Sequence, residues 1–455
     1  TGIVVKLTLA LPDNDASIKL VVSNDATFNG SDVAYTTSAI TINGVAYRQA
    51  NVDLTTGQFF TFATNVIAPG GIVNKLSLWL TSDAVGVAPG SNAPDWDDIS
   101  RIKNPVETIG TRTLQAADAS HNFQPFFNNF TAANHFKDAN SSLASQGAFL
   151  ATEITMFGVA RINSVTNDGR IMGIDNTDPN GNDAGLSILD ASARFHRTST
   201  SATTLSSTAV AARNRSSMFS SYTSGTTVGT GLDGAYNTAA ITAGGGITGD
   251  VLMIGYASAA PAGAIPGDLQ EVIWYKQTLT ATEIKQVETY LAIKHGITLG
   301  GNAGTTSTYN YLNTAGATVW DKTTNSGYNN DIAGIARDDA SALMQKQSMS
   351  VNSTSSVTIG LVSIAASNAA NANTFTADRS FLIWGHNGGA NNSVFNDANC
   401  FSNLPTGVQA RVQRKWKFQV TNFAQNTTVG FPTTGLVGYT PLSNLRLLVD
   451  DDGVN

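Results

Sequence analysis

Apolar and polar positions alternate with a period of two through the first 65 residues, the spacing that gives a strand one buried and one wet face. The pattern predicts strands over Lys6–Leu11, with Leu7, Leu9 and Leu11 on one face, and over Ile18–Val22, Ala39–Ile42, Ala46–Val52 and Phe59–Ala63. Asn43-Gly44 is a hairpin signal, because both residues tolerate the positive φ that a tight turn requires. Pro69-Gly70-Gly71 ends the pattern and predicts a boundary. Beyond it, short strands are expected over Lys75–Leu80, Thr152–Arg161, Arg170–Ile174, Leu186–Leu189, Ala209–Arg213, Ser216–Tyr222, Val251–Tyr256 and Leu269–Tyr275. Turns rich in Gly, Asn and Ser separate them, which favours a β-sandwich over a βαβ fold.

One segment changes period. From Thr280 to Gly296 the apolar residues Ile284, Val287 and Leu291 recur at helical spacing. Thr280 and Glu283 have the spacing of a capping box, Lys294 and His295 suit the negative end of the helix dipole, and Gly296 suits a left-handed stop. The sequence therefore predicts a helix packed on a sheet, with His295 as a cation at the helix end.

Composition narrows the function classes. Charged residues make up 13% of the chain and the net charge is −7. No basic stripe exists to displace counterions from phosphates, so nucleic acid is not an expected partner. Glu occurs only at 107, 153, 271, 283 and 288, and the remaining acids are Asp, a turn former. The polar positions are mostly Asn, Ser and Thr, which points outside the cell. The lone Cys400 rules out an intrachain disulfide framework and reads as a small buried side chain. No apolar run approaches the roughly 18 residues that would span a bilayer, so no membrane insertion is expected. The opening run from Ile3 to Leu11 lacks a basic leader and alternates, so it reads as a strand of a mature or excised chain.

Gly267-Asp268-Leu269-Gln270-Glu271-Val272-Ile273-Trp274-Tyr275, then Leu279-Thr280, then Val287 through Leu299, resemble the closing hairpin and helix of laminin-G-like, concanavalin-like jelly rolls. The particular closing phrase Tyr290-Leu291-Ala292-Ile293-Lys294-His295-Gly296-Ile297-Thr298-Leu299 is similar to domains in very large surface proteins of Bacteroidota, including adhesins exported by the type IX route. Tyr311 to Asp321, Asn329 to Asp339, Phe381 to Asn387 and Arg414 to Val420 resemble the β-rich module that follows the jelly roll in those proteins. The resemblance implies an all-β chain: a jelly-roll sandwich at residues 69–299 with a closing helix at 280–295, plus a second β-sandwich-like module split between the termini. Residues 300–455 are its expected first part, incomplete at its end, and residues 1–68 its second half.

A short internal echo supports that split. Ile18-Lys19-Leu20-Val21-Val22-Ser23 and Leu445-Arg446-Leu447-Leu448-Val449-Asp450 share an apolar–basic–apolar–apolar–apolar build. Two ordinary edge strands can also look alike by chance. Taken as a true echo, it predicts copies joined head to tail by chain continuity or strand complementation, with Leu7, Leu9, Leu11, Leu447 and Val449 as inter-unit contacts.

The chemistry-bearing residues are sparse. None of the five Glu has an Asp two residues later, and the five His show no His-Glu-x-x-His spacing. Gly244-Gly245-Gly246-Ile247-Thr248-Gly249 precedes a strand instead of opening a helix, so it reads as a hairpin loop. Catalysis is not expected. The resemblance implies calcium as a small partner, and Asp175, Asp178, Asn180 and Asp183 are oxygen-rich enough to hold a hard cation, although turn formation explains the same residues. Trp96 with Asp95 and Asp97 is the expected glycan contact, the aromatic stacking and the acids hydrogen-bonding; core packing is the alternative for Trp96. The reading is a non-enzymatic adhesive repeat of an extracellular bacterial surface protein or filament. Its alternatives are a lectin-like glycan-binding module and a glycan hydrolase with a noncontiguous carboxylate pair.

Overall fold

The computed structural model of the chain describes residues 3–10, 18–29, 31–64, 66–138, 152–164, 169–175, 184–197, 203–241, 251–257, 263–300, 305–391, 404–432 and 445–450. Cys400 lies outside the described residues. The chain divides into two units, Thr1–Val66 and Ile67–Asn455.

In the first unit, Ile3–Ala10, Val45–Leu54 and Ser38–Ile42 form one antiparallel sheet with the long strand in the middle. Val33–Thr36, Ile18–Ser23 and Phe59–Thr64 form a second, with Ile18–Ser23 in the middle. Leu20, Val22, Ala50 and Val52 make a small core, with Tyr35, Leu54 and Phe62 packed against it. Asn43 and Gly44 take positive φ at the hairpin, as the Asn-Gly signal requires. Residues 1–68 were expected as half of a module, and residues 1–66 carry two sheets and a core of their own. Leu7 pairs in register with Ala50, Leu9 pairs with Arg48, and Leu11 lies outside the described residues.

The second unit is built on two facing sheets. One has six strands in the order Ala235–Ala240, Thr227–Leu232, Ser216–Ser224, Glu153–Ile162, Gly267–Tyr275 and Leu76–Thr81. The other runs from Thr203–Ser206 through Gly169–Asp175 and Val251–Ile254 to His135–Asp138 and Val106–Ile109. Between them lies a large core that includes Leu80, Trp96, Phe127, Phe136, Ile171, Leu186, Phe219, Val272 and Trp274. The strand Gly267–Tyr275 is buried along its whole length. Its two faces serve different partners: Val272 and Trp274 point to the inter-sheet core, and Ile273 and Tyr275 point to a second core beneath the helix.

The helix spans Ala281–His295 and carries the predicted capping box at Thr280 and Glu283, with Gly296 in the left-handed conformation at its end. It is sandwiched between the six-stranded sheet and a four-stranded sheet containing Asn330–Asp338 and Ser380–His386, because Val287, Leu291, Tyr311, Trp320, Ile332, Phe381 and Ile383 share one core. A three-stranded sheet, Gln347–Ser348, Thr358–Leu361 and Thr427–Gly430, covers the far side of that four-stranded sheet over Ile335, Ile359, Leu382 and Trp384. The helix is thus shared by the two sandwiches, and the expected division at 299/300 falls inside one packed unit.

Two expected strands are absent. Ala209–Arg213 forms none, although Ala209 and Ala211 are buried and the Ala211 amide donates to the Ala191 carbonyl at 2.8 Å. Leu445 to Asp450 also belongs to no sheet.

Pro69-Gly70-Gly71 forms a tight turn against the helix. Gly70 has φ +62°, and a Cβ there would lie 2.5 Å from the Val287 amide nitrogen. Overpacking against backbone that cannot move aside costs roughly 1–3 kcal/mol, and the left-handed φ adds strain for any residue with a Cβ. Gly70→Ala is therefore expected to lower the urea midpoint of the second unit. Gly316 in the same unit, with φ +77° and nothing near its own missing Cβ, provides the control for strain alone.

Candidate functional site

A cleft of about 340 Å³ opens beside the loop from Pro94 to Glu107. Its walls follow from a pair of facing segments. The Trp96 amide donates to the Val106 carbonyl at 3.1 Å, the Thr108 amide to the Pro94 carbonyl at 3.1 Å, and the Ala93 amide to the Arg112 carbonyl at 2.8 Å. Asp98 locks the turn between these segments. Its Oδ1 accepts from the backbone amides of Trp79 (3.0 Å) and Ser100 (2.9 Å), and its Oδ2 accepts from Ser100 Oγ (2.9 Å), the Asn104 amide (2.8 Å) and Asn104 Nδ2 (2.6 Å). A carboxylate with this many donors is fixed, and so is the loop around it.

Asp95, Asp97 and Lys103 are exposed at the rim, and Glu107 is half-buried. Lys137 Nζ lies 3.3 Å from Glu107 Oε1. Partial burial, then the negative charge of Asp95, raises the Asp97 pKa against the opposing pull of Lys103. Below the cleft, Arg112 is buried, donating to the carbonyls of Asn128, Asn129 and Asn134 and lying over the Phe130 ring. Burial lowers its pKa to about 10.

Trp96 has its backbone at the cleft and its side chain elsewhere. The ring is 0% exposed and packs at 5.0 Å from both Phe127 and Phe136. It therefore offers no face to a sugar, and the expectation that it stacks is corrected: between two strand-like segments, every second side chain must point into the core. Asp95 and Asp97, its neighbours on either side, point the other way and line the cleft. Sequence reading missed Lys103, Asn104 and Glu107, although Pro94 and Pro105 bracket the same loop and signal that its two arms return to each other.

Two buried polar clusters lie away from the cleft. Glu271, on the helix-facing side of its strand, is fully buried and accepts from Trp79 Nε1 (2.8 Å) and Tyr290 Oη (2.8 Å); its other oxygen lies 2.9 Å from His295 Nε2 and 3.0 Å from Lys294 Nζ. Burial pushes the Glu271 pKa up, but the charge of Lys294 and the hydrogen bond from His295 outweigh it and hold it down at about 2. His295 is 0% exposed, and burial lowers its pKa despite Glu271. The expected helix-end cation is thus a buried hydrogen-bonding ring.

In the second cluster Arg215 pairs with Asp233 and donates to Asn352 Oδ1 at 2.8 Å, while Asn352 Nδ2 donates to Asp331 Oδ1 at 2.9 Å and His386 Nε2 lies 2.7 Å from Asp331 Oδ2. It ties the six-stranded sheet to the four-stranded one.

Asp175 ends the strand Gly169–Asp175, and Asp178, Asn180 and Asp183 lie outside the described residues. Among the described residues, no group of three or more His, Cys, Asp or Glu is arranged to hold a metal ion. No helix among them is long and apolar enough to cross a membrane, which leaves β-barrels unaddressed.

The profile of a family described as a domain of unknown function (DUF8202) matches residues 283–455. Among solved structures, the chain is similar to a Trypanosoma rangeli sialidase in complex with the inhibitor DANA (11% identity, TM-score 0.32, covering 56% of this chain and 42% of that one). It is also similar to the Ruminococcus gnavus IT-sialidase CBM40 bound to α2,3 sialyllactose (18%, 0.27, 32% and 85%). A third is domain 4 of AbnA, a GH43 extracellular arabinanase from Geobacillus stearothermophilus, in complex with arabinotriose (12%, 0.36, 48% and 100%). The chain spans 42% of the length of the sialidase it matches. No curated protein sequence matches it. Likenesses this low carry no argument about function; the all-β, sandwich-like packing stands on the strand order itself.

Proposed function

We propose that the chain is a non-catalytic glycan-recognition module of an extracellular bacterial surface protein, built on a jelly-roll sandwich and binding sugar at the cleft beside Pro94 to Glu107. The observation that carries this reading is the cleft's combination of rigidity and polarity. Asp98 holds the loop in place, so little ordering cost accompanies binding. Asp95, Asp97 and Glu107 accept hydrogen bonds from sugar hydroxyls, and Lys103 donates to them or to a ring oxygen. The excess of carboxylates disfavours phosphate and nucleic acid. Low charge and many Asn, Ser and Thr support the extracellular placement. Glu271, a carboxylate held down by its buried partners, is 0% exposed, which supports the non-catalytic reading.

A glycan array probed with the whole chain tests the proposal. Binding to a restricted set of neutral or amine-bearing oligosaccharides is expected, with no release of smaller products on long incubation. Because ionised Asp97 is the stronger hydrogen-bond acceptor and its pKa is raised, binding is expected to weaken on acidification before an ordinary carboxylate would titrate. An array with no bound glycan, or binding that is indifferent to pH and to Asp97→Asn, contradicts the proposal. The run 175–183 carries a calcium proposal of its own, checked by the thermal shift of the chain on adding Ca²⁺.

A second reading, a repeat that joins others on the cell surface, is favoured by a separate observation: Leu447 and Val449 are 76% and 82% exposed in a segment that belongs to no sheet.

A further inference from the structure

A short turn joins the two sandwiches of the second unit. Between the paired strands Gln115–Asp118 and Gln124–Phe126, Asn122 and Phe123 both take left-handed φ, +51° and +63°. Neither is a glycine, so the turn carries backbone strain that its surroundings must hold in place. Those surroundings include the helix end and the second sandwich. Asn122 Nδ2 donates to the Lys294 carbonyl (3.0 Å), Asn122 Oδ1 accepts from the Met349 amide (2.8 Å), and Gln124 Nε2 donates to Gln345 Oε1 (2.7 Å). The Asn368 amide donates to the Phe123 carbonyl at 3.0 Å.

His121, just before the strained pair, ties the same turn to the six-stranded sheet. Its ring is buried and stacks on Phe126 at 3.7 Å. Nδ1 lies 2.9 Å from Asp118 Oδ1, and Nε2 lies 3.1 Å from Asp268 Oδ2. Both oxygens already face other donors. Asp118 Oδ1 accepts from the His121 amide (3.0 Å) and Ser120 Oγ (2.7 Å), and Asp268 Oδ2 lies 3.3 Å from Arg161 Nη1. Burial pushes the Asp118 pKa up, but hydrogen bonds from Ser120 and His121 outweigh it and hold it below the usual carboxylate range. A neutral imidazole has one N–H and one bare lone pair. It can donate to one of these two oxygens, and its lone pair then faces the other at hydrogen-bond distance.

We infer that His121 carries a proton on both ring nitrogens while it bridges Asp118 and Asp268, and that loss of one proton loosens the joint between the two sandwiches as pH rises. The sign follows from the count of donors. Two protons serve two carboxylates, whereas one proton leaves a lone pair against a negatively charged oxygen. The charged groups that meet the ring are Asp118 from its own turn and Asp268 from Gly267–Tyr275, with Arg161 of Glu153–Ile162 beyond Asp268. The second sandwich meets the turn with uncharged groups, at Gln345, Ser348, Met349 and Asn368. The strained turn is therefore held from one side by amides that do not titrate and from the other by a ring that does. The inference does not depend on glycan binding.

Two measurements on the whole chain across pH test it together. Nitrogen NMR of the chain labelled in its histidine rings follows His121, assigned as the signal missing from His121→Gln. Hydrogen exchange at residues 118–124 and 345–349, corrected for the intrinsic effect of pH on exchange, follows the joint. The expected result is a ring protonated on both nitrogens at the acidic end. As one proton leaves, exchange in both segments is expected to quicken at least about tenfold, the worth of one hydrogen bond to a charged group. Asp118→Asn, at a half-exposed position, supplies an amide that can donate to a bare Nδ1, and it is expected to remove this pH dependence. Should His121→Gln fail to fold, the contact with the Phe126 ring assigns the signal instead. A ring with a single proton at every pH of the folded chain overturns the inference, as does one that keeps both protons until the whole chain unfolds. Titration of the ring without a change in exchange, or an Asp118→Asn chain that keeps the native pH dependence, also overturns it.

Discussion

Replacing Glu271 by alanine is expected to destabilise the second unit by about 3–5 kcal/mol, the cost of removing one partner from a buried ionic cluster. The size follows from what is left behind. Lys294 is buried and raised in pKa by Asp83 and Glu271 against the desolvation that opposes it, and without Glu271 its remaining carboxylate partner is the half-exposed Asp83 at 2.9 Å, beside the neutral hydroxyls of Thr81 and Tyr290. Trp79 Nε1 and Tyr290 Oη lose their acceptor in a buried site. Glu271→Gln separates charge from hydrogen bonding, since the amide keeps one acceptor and should lose less. The same residue sets a pH dependence. A carboxylate lowered from 4.5 to about 2 contributes stability that is fully present above its unfolded value. That stability, roughly 3 kcal/mol at 1.36 kcal/mol per unit, is lost as pH falls from about 4.5 towards 2. Urea midpoints of the native chain and Glu271→Gln should therefore diverge at pH 6 and converge near pH 2 (about two units either side of an ordinary carboxylate). Equal slopes against pH for the two proteins would show that the cluster is not held in this way.

Arg215→Ala is expected to have the second-largest effect, again about 3–5 kcal/mol, because it leaves Asp233 buried and unpaired. Asp233 is already raised in pKa by burial in spite of Arg215, so the variant is expected to take up a proton on folding at a higher pH than the native chain does. The damage should extend further than the pair. Asn352, held by Arg215, orients Asp331, and Asp331 receives His386 and Thr354. Hydrogen exchange is therefore expected to quicken at Ser216–Ser224 and also at Asn330–Asp338, two strands in different sheets. Faster exchange confined to Ser216–Ser224 would mean that the two sandwiches are not coupled through this cluster.

The sequence exposed the local features and left the long-range ones hidden. Apolar runs bounded by turn residues predicted strands over Leu269–Tyr275, Thr152–Arg161 and Lys75–Leu80, which form at Gly267–Tyr275, Glu153–Ile162 and Leu76–Thr81, and the capping box fixed the helix start to the residue. Ala209–Arg213 misled because small residues suit a buried turn as well as a strand. Glu271, Lys294 and His295 were all visible as residues, but nothing in their spacing places a strand carboxylate against the last turn of a helix 24 positions later. The candidate cleft was half legible. The cluster Asp95-Trp96-Asp97-Asp98 marked the loop, and the strand alternation that sends Trp96 inward also sends Asp95 and Asp97 outward. Lys103 and Glu107 return from the other arm of the turn, a contact that only folding brings together.

The central claim is that sugar is held by the outward carboxylates of the cleft and that the Trp96 ring takes no part. Calorimetric titration of the best array glycan against the native chain, Asp97→Asn and Trp96→Phe tests it most directly. The account predicts a loss of at least about tenfold for Asp97→Asn, the worth of one charged hydrogen bond, and affinity within about threefold for Trp96→Phe, which keeps an aromatic ring in the core. Undiminished affinity in Asp97→Asn, or a Trp96→Phe chain that folds normally and no longer binds, would contradict it.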